Sequence, residues 1–304
     1  MAVVPKINQD SPSLLSRLTQ SISVYIEVTK PKILFMLSFT SLCAAIVAQR
    51  GMPSMFVTLA MLLSASLSAG GSAAINMWYD RDIDVIMERT ANRPLPLGLL
   101  QPTSVLRFGL VLGALSVVIA FFFVNPLTAF LNAAGYFYYA VIYTMGLKRR
   151  TPQNIVIGGG AGAFPILIGW SSVTNSLDLT AWLMFMVIFL WTPPHSWALA
   201  LYKNEEYTKA GIPMMPVVIG PRGTKIQSLI YMVLLFVCSI ILYKHGNFNT
   251  IYLTGAVLFN SALLYCTFRM WKEEDHIFFW AKRTFICSLF YILGVFSTMV
   301  IGIS

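Results

Sequence analysis

The run V-L-R-F-G-L-V-L-G-A-L-S-V-V-I-A-F-F-F-V at residues 105–124 decides the fold class of this chain, because it carries a single charge, on Arg107. About 20 apolar residues of α-helix cross the hydrocarbon core of a bilayer, which is about 30 Å thick. Nine such runs are predicted along the chain, at 32–50, 54–75, 105–124, 126–146, 154–174, 180–201, 228–243, 250–270 and 284–302. The sequence therefore predicts an all-α fold, a polytopic membrane bundle of nine transmembrane helices.

Composition supports a membrane protein with one domain. Of the 304 residues, 57% are apolar and 11% are charged, and the mean hydropathy is +0.72, whereas about 25% of the residues of a soluble domain are charged. No polar interval is long enough for a separate soluble domain. We expect a cytoplasmic N-terminal segment at 1–31, which lacks the apolar core of a signal peptide, and a single transmembrane domain at 32–304.

The distribution of charge predicts the orientation. With nine spans, 19 of the 21 Lys and Arg residues fall on the side of the N-terminus, and Arg50 and Lys244 fall on the other. Cytoplasmic loops of membrane proteins are enriched in these residues. We therefore expect a cytoplasmic N-terminus and an external C-terminus in a bacterial inner membrane. The net charge of +9 then belongs to the cytoplasmic rim, and no nucleic-acid partner is expected.

The first candidate site follows the second predicted span, in N-M-W-Y-D-R-D-I-D from Asn76 to Asp84. Asn76, Asp80 and Asp84 are four residues apart, so a continuous helix would place them on one face. Like charges at that spacing repel each other. A magnesium ion bound by one or two carboxylates and by phosphate oxygens would compensate, so the pattern predicts Mg²⁺ at Asp80, Asp84 and Asn76 and a diphosphate substrate.

Arginines after this motif fit the same chemistry, because guanidinium groups match phosphate geometry. Arg89 and Arg93 are the candidates for stabilising a leaving diphosphate. The alternative is a solvated interfacial helix whose acids and arginines pair with one another. The small-residue segment at 69–74 favours a functional site, because small residues allow a helix or ligand to approach closely.

The junction after the fourth predicted span carries a compact cationic cluster, Lys148, Arg149 and Arg150. This cluster is a candidate binding site for a diphosphate or a propionate, or a topology anchor, and the sequence leaves both interpretations open. Four glycines lie in the apolar run that follows: Gly158, Gly159, Gly160 and Gly162. They predict a close helix contact rather than a phosphate-binding loop.

The sixth predicted span ends in W-T-P-P-H at residues 191–195. Two consecutive prolines remove backbone donors and predict a break of the helix inside the membrane. His195 is therefore a candidate metal ligand, proton acceptor or ligand contact, against the alternative of a structural histidine. Further on, Glu206 is a candidate for substrate binding or for interfacial pairing with nearby lysines.

Together these motifs resemble the UbiA superfamily of intramembrane prenyltransferases, and more closely the branch of that superfamily that modifies heme. The resemblance covers nearly the whole chain. It rests on five motifs: N-x-x-x-D-x-x-x-D at 76–84, E-R-T-x-x-R-P at 88–94, K-R-R-T-P-Q-N-I-V-I-G-G at 148–159, W-T-P-P-H at 191–195 and A-G-I-P-M-M-P at 210–216.

The resemblance implies a bundle around a lipid-open cavity, Mg²⁺ as cofactor, and farnesyl diphosphate and heme B as substrates. Heme B is then a substrate and not a permanent cofactor, heme O and diphosphate are the products, and heme A synthase is a partner. The catalytic residues expected are Asp80, Asp84, Arg89, Arg93 and His195, with His195 near the heme. The substrate-binding residues expected are Asn76, Lys148, Arg149, Arg150 and Glu206.

The chain departs from the superfamily pattern in two places. Met77 stands where an aspartate is common, and Lys203 and Tyr207 stand at the aligned positions of the second acidic motif. One metal ion is therefore expected rather than two. Two alternatives are a prenyltransferase for an aromatic acceptor, against which the poor second acidic motif argues, and a lipid or heme transporter or assembly protein. A lipid phosphotransferase is disfavoured, because its longer aspartate signature with interspersed glycines is absent.

Overall fold

The computed structural model describes residues 14–303, and within them it consists of helices joined by turns, with a longer connection at 85–101. The α-helices are α1 (Leu14–Val28), α2 (Pro31–Gln49), α3 (Met55–Tyr79), α4 (Arg81–Asp84), α5 (Pro102–Phe123), α6 (Pro126–Phe137), α7 (Asn154–Thr174), α8 (Leu179–Tyr202), α9 (Asn204–Lys209), α10 (Met215–His245), α11 (Thr250–Lys272) and α12 (Phe279–Ile301). A π-helix, Tyr138–Leu147, continues α6. The predicted all-α fold is confirmed.

Eight helices of the described chain are long and apolar enough to cross a membrane, so the protein is a multi-pass membrane protein. The predicted count of nine is close to this number but is not confirmed. The difference is the fourth predicted span, 126–146, where the twelve-residue α6 passes directly into the ten-residue π-helix. A change from α to π hydrogen bonding often marks a functional position.

The domain boundary predicted at residue 31 stays a prediction, and residues 1–13 of the N-terminal segment lie outside the described residues. The described part of that segment forms α1. Lys30, with a left-handed backbone (φ 58°), separates α1 from α2, and Pro31 begins α2, where its fixed φ suits the first helical turn.

Small residues bring the helices close together, as expected where lipid supplies no hydrophobic drive for association. A Cβ added to Gly71 of α3 would lie 2.8 Å from the Gly109 carbonyl oxygen of α5. In α7, Gly159 lies against Thr192 of α8, and Gly160 lies against Tyr138. The predicted glycine contact is thus confirmed for these positions and for Gly158, which packs on Tyr143, but a Cβ at Gly162 would meet nothing within 4 Å.

Two local predictions about helix ends are wrong. α8 does not break at Pro193 and Pro194 but runs through them to Tyr202, because neighbouring helices hold the turn that lacks its backbone donors. The seventh span does not begin at 228, since α10 starts at Met215 and bends at Gly220, whose φ of 75° only glycine adopts readily. Pro221 follows this bend.

Candidate active site

The polar motif that begins at Asn76 forms a buried cluster where α3 ends. Asn76 and Asp80 are 3% and 0% exposed, and the Asn76 amide donates to the Asp80 carboxylate at 2.7 Å. The same amide nitrogen lies 3.2 Å from the hydroxyl of Thr144 in the π-helix. α3 ends at Tyr79 with Asp80 as its C-cap, and the single turn of α4 then carries Asp84. The predicted four-residue spacing therefore brings Asn76 and Asp80 into contact, while a helix end separates them from Asp84.

Two cations of the 148–150 cluster reach Asp80. Lys148 Nζ forms a short ion pair with its carboxylate, and Arg149 Nη2 lies 3.4 Å from the other oxygen. Arg149 also binds both oxygens of Asp82 at 2.7 Å. Hydrogen bonding to Arg149 lowers the pKa of the exposed Asp82 carboxyl, and hydrogen bonding to Asp82 raises the pKa of Arg149. Arg150 is exposed beside them.

Asp84 has a separate partner, Arg93, which was predicted from the sequence as a contact of the diphosphate. Arg93 Nη1 donates to both oxygens of Asp84, at 2.9 and 2.7 Å, and Asp84 is 1% exposed. The Thr90 hydroxyl donates to the Asp84 carbonyl at 2.9 Å, which fixes the turn that returns the chain to Arg93. Arg89, in the same turn, is exposed.

Glu206 belongs to α9 and links that helix to the turn that carries Arg89. Its carboxylate accepts from Lys203 Nζ at 2.5 Å and from the Arg89 backbone N–H at 3.5 Å. Burial raises the pKa of Glu206, but these hydrogen bonds outweigh burial, so the pKa lies below its usual value. Glu206 therefore holds the arginine turn in place, and within residues 14–303 its carboxylate hydrogen-bonds to neither Asp80 nor Asp84.

Lys30 is a site residue that was not predicted from the sequence, because residue 30 lies in the predicted N-terminal segment. Its Nζ donates to the Asn76 amide oxygen at 2.6 Å and lies 6.0 Å from the centre of the Tyr139 ring. Burial lowers its pKa well below the usual value, and the neighbouring Arg93 and Lys148 lower it further. Lys30 takes part in none of the ion pairs within the described chain.

A cavity of about 130 Å³ begins at Lys30 and extends between α2, α3, the π-helix and α7. Its polar end carries Lys30, Ser72 and Tyr139, and its remainder is lined by apolar and small side chains, among them Leu34, Leu37, Ala69, Phe164 and Pro165. We call it the α2–α7 cavity. It joins a charged mouth to an apolar interior. This distribution of polarity matches an amphiphilic ligand with an anionic head, although the cavity is smaller than the roughly 300–1,000 Å³ of typical ligand pockets.

His195 lies apart from this cluster, on the face of α8 that packs against α12. Its ring is stacked between Trp191 and Phe285, with ring centres 4.2 and 4.7 Å away, and its Nδ1 lies 2.6 Å from the Ser288 hydroxyl. The structure therefore brings together Asn76, Asp80, Lys148 and Arg149, keeps Asp84 with Arg93, and places His195 at a second position in the bundle.

The residues present fit a magnesium ion. The described residues contain no group of three or more His, Cys, Asp or Glu side chains that could hold a metal, so the site differs from a cage made of protein alone. It offers two buried carboxylates, Asp80 and Asp84, and the Asn76 amide. Magnesium is usually bound by one or two carboxylates and completed by substrate phosphates and water. Asp80 and Asp84, each paired with a cation here, would supply the protein part of that donor set.

Comparison with known proteins agrees with this geometry. Residues 37–297 match the model of the UbiA prenyltransferase family. A protoheme IX farnesyltransferase of Symbiobacterium thermophilum is 46% identical over 285 residues, which cover 94% of this chain and 95% of that protein. A protoheme IX farnesyltransferase of Rhizobium johnstonii is 46% identical over 279 residues, which cover 91% and 88%.

Solved structures share the fold. Digeranylgeranylglyceryl phosphate synthase superposes with a TM-score of 0.78 at 17% identity, covering 93% of this chain and 99% of that one. A UbiA homologue of Archaeoglobus fulgidus bound to GPP and Mg²⁺ has a TM-score of 0.61 at 17% identity, with coverages of 91% and 99%. The chain is a membrane-embedded prenyltransferase and belongs to the UbiA prenyltransferase family.

Proposed function

We propose that this protein transfers the farnesyl group of farnesyl diphosphate to a vinyl group of heme B and so forms heme O and diphosphate. The observation that carries the proposal is the 46% identity to a protoheme IX farnesyltransferase over 94% of the chain. The polarity of the α2–α7 cavity agrees with the proposal, because the cavity has a cationic end for a diphosphate and an apolar interior for an isoprenoid chain.

The buried cluster supplies the groups for the departure of the diphosphate. Asp80, Asp84 and Asn76 would hold Mg²⁺, which when bound neutralises charge on the leaving group. Lys30 and Lys148 stand beside these ligands and are cations that a diphosphate would contact. A cluster fixed by the fold before the substrate binds stabilises developing charge without reorganisation during the reaction.

Two arginines border the diphosphate position from the loop. Arg93, held by Asp84, would exchange part of that pairing for phosphate oxygens, and the exposed Arg89 would reach the same anion. Arg149 and Arg150 provide further positive charge at this face. Glu206 acts indirectly in this proposal, since it anchors the backbone of Arg89.

The bond changes are balanced. The C1–O bond of farnesyl diphosphate breaks, and its electron pair leaves with the diphosphate. The π electrons of the heme vinyl group form the new carbon–carbon bond to C1, and the resulting cation on the porphyrin side chain takes up water, which loses a proton and leaves a hydroxyl. The apolar walls of the cavity keep bulk water from the allylic cation before the acceptor reaches it.

His195 would serve the acceptor rather than the diphosphate, by holding the heme through its iron. Its separation from the acidic cluster supports this division, since two substrates must approach each other from different sides. We place the protein in a bacterial inner membrane with a cytoplasmic N-terminus and an external C-terminus, with heme A synthase as a partner that consumes the product. The 19 to 2 distribution of Lys and Arg supports this orientation.

The proposal is tested by incubating membranes that contain the protein with heme B, farnesyl diphosphate and Mg²⁺, and separating the hemes by chromatography. We expect heme O from the wild type and at least about a 100-fold lower rate from Asp80→Asn, which removes a ligand charge but keeps the shape. Glu274→Gln, in an exposed loop, is the matched control and should keep the wild-type rate.

An inactive wild type, folded and supplied with both substrates, would refute heme B as the acceptor. Activity with an aromatic acceptor in the same membranes would then assign the diphosphate site to that chemistry instead.

A further inference from the structure

Ser288 of α12 makes three hydrogen bonds that bear on His195. Its hydroxyl oxygen lies 2.6 Å from the carbonyl oxygen of Phe285 and 2.6 Å from His195 Nδ1. Its own carbonyl accepts from the indole N–H of Trp191 at 2.9 Å. One buried serine, 1% exposed, therefore connects α12 to two aromatic side chains of α8.

The hydrogen count fixes the tautomer of the imidazole. A serine hydroxyl has one proton to donate and lone pairs to accept with. Two oxygen atoms 2.6 Å apart repel unless a proton lies between them, so the Ser288 proton lies toward the Phe285 carbonyl. The contact with His195 then needs the proton of Nδ1. A neutral imidazole with its proton on Nδ1 carries its free lone pair on Nε2.

Stacking fixes the plane of the same ring. The His195 ring lies 18° from the plane of Trp191 and 23° from that of Phe285, and Trp191 is itself held by the Ser288 carbonyl. The side chain is only half-buried, so the stacked rings do not enclose it completely. Rotation about the Cα–Cβ or Cβ–Cγ bond of His195 would break both the stacking and the hydrogen bond. The Nε2 lone pair therefore has one preferred direction.

We propose that Ser288 is a positioning residue that prepares His195 Nε2 to bind the heme iron. The inference rests on the proposed function and adds to it the atom that binds and the residue that orients it. Histidines that bind metals usually donate their other ring N–H to an acceptor, which fixes the tautomer and raises the basicity of the ligand. Here the acceptor is the Ser288 hydroxyl, whose own proton is donated to the Phe285 carbonyl.

The test uses the full chain in lipid nanodiscs and ferrous heme B as the probe. Heme affinity is measured by absorption titration, and the iron–histidine stretching band is measured by resonance Raman spectroscopy. We expect Ser288→Ala to bind heme about 10 to 100 times more weakly, the range typical of lost outer-shell partners, and to shift the band to lower frequency. Ser288→Thr, which keeps the hydroxyl, should restore both.

Ser228→Ala is the matched control, because Ser228 is also buried in a membrane helix but donates only to its own helix, at the Thr224 carbonyl. It should retain the affinity and band of the wild type. His195→Ala should lose the band entirely.

The outcomes separate the two proposals. If the wild type forms heme O and Ser288→Ala keeps the affinity and band position of Ser228→Ala, the role of Ser288 is refuted and the farnesyl transfer stands. If His195→Ala keeps the iron–histidine band, another histidine is the ligand and the inference is also refuted. If the wild type neither binds heme nor forms heme O, the proposed function itself fails.

Discussion

Lys30 Nζ donates to the Asn76 amide oxygen across 46 positions of sequence, at 2.6 Å. This bond joins the segment between α1 and α2 to the end of α3. The half-buried ammonium group has an amide for its nearest polar partner. It stands near two ion pairs, Asp80 with Lys148 and Asp84 with Arg93. Because these carboxylates are already paired, a further anion would stabilise the ammonium group, and a diphosphate at the mouth of the α2–α7 cavity would supply one.

Replacing Lys30 by Met should therefore weaken the use of the prenyl diphosphate. We expect kcat/KM for farnesyl diphosphate to fall about 10- to 100-fold, because a charge-assisted hydrogen bond contributes about 1.5–3 kcal/mol, and Lys30→Arg to recover part of it. Steady-state kinetics with saturating heme B measures this effect. Lys32→Met, two residues further on and exposed, is the control, and equal kinetics in the two Met variants would contradict the role of Lys30.

Sequence spacing predicted the parts of the site that lie within one element. Asn76 and Asp80 are four residues apart, so helix geometry alone placed them together. Lys148 and Asp80 are 68 positions apart, so their charges were known from the sequence but their contact was not predicted. Lys30 was missed for the same reason: in a sequence it counts as one more cytoplasmic lysine, and only helix packing brings it to Asn76. The pair Lys30–Pro31, directly before the first predicted span, was the signal available in the sequence.

The helix ends were harder to predict than the helices. The length of apolar runs is set by bilayer thickness, so their existence followed from composition. Pro193 and Pro194 predicted a break, but the effect of a proline depends on neighbours that hold the weakened turn. The bend in α10 was not predicted, although the pair Gly220–Pro221 is a dipeptide typical of turns, and the positive φ of Gly220 makes this bend.

The pair of Lys203 and Glu206 predicts a dependence of local stability on pH. The folded-state pKa of Glu206 lies below its usual value, which is about 4.3. The pair therefore contributes stability above that usual value, and the contribution is lost as the pH falls through the lowered pKa. Because Lys203 is 33% exposed, we expect less than about 1 kcal/mol.

Hydrogen exchange of the amides in α9 measures this effect. At pH 7, Glu206→Gln should exchange faster than the wild type, and at pH values below the lowered pKa the two proteins should differ little once intrinsic rates are corrected. Glu205→Gln, at the exposed neighbouring position, should match the wild type at both pH values. A difference for Glu206→Gln that persists unchanged in acid would rule out the charge of this carboxylate as the cause.

The crossing of α3 and α5 makes the most direct prediction about the fold. A Cβ at Gly71 would lie 2.8 Å from the Gly109 carbonyl oxygen, and a Cβ at Gly109 would lie 2.9 Å from the Gly71 carbonyl oxygen. Since both obstacles are backbone atoms, neither can rotate away. Gly71→Ala should therefore destabilise the protein by about 1–3 kcal/mol through overpacking, against the gain of about 1 kcal/mol that alanine brings inside a helix.

Gly162→Ala separates these two effects, because it also places alanine inside a membrane helix but meets nothing within 4 Å. We expect its thermal unfolding midpoint in detergent to equal or exceed that of the wild type, while the midpoint of Gly71→Ala falls. Because α3 carries Asn76 and Asp80 at its end, a displaced α3 should also lower farnesyl transfer. Equal midpoints for the two variants would mean that α3 and α5 cross with more space than the Gly71–Gly109 contact allows.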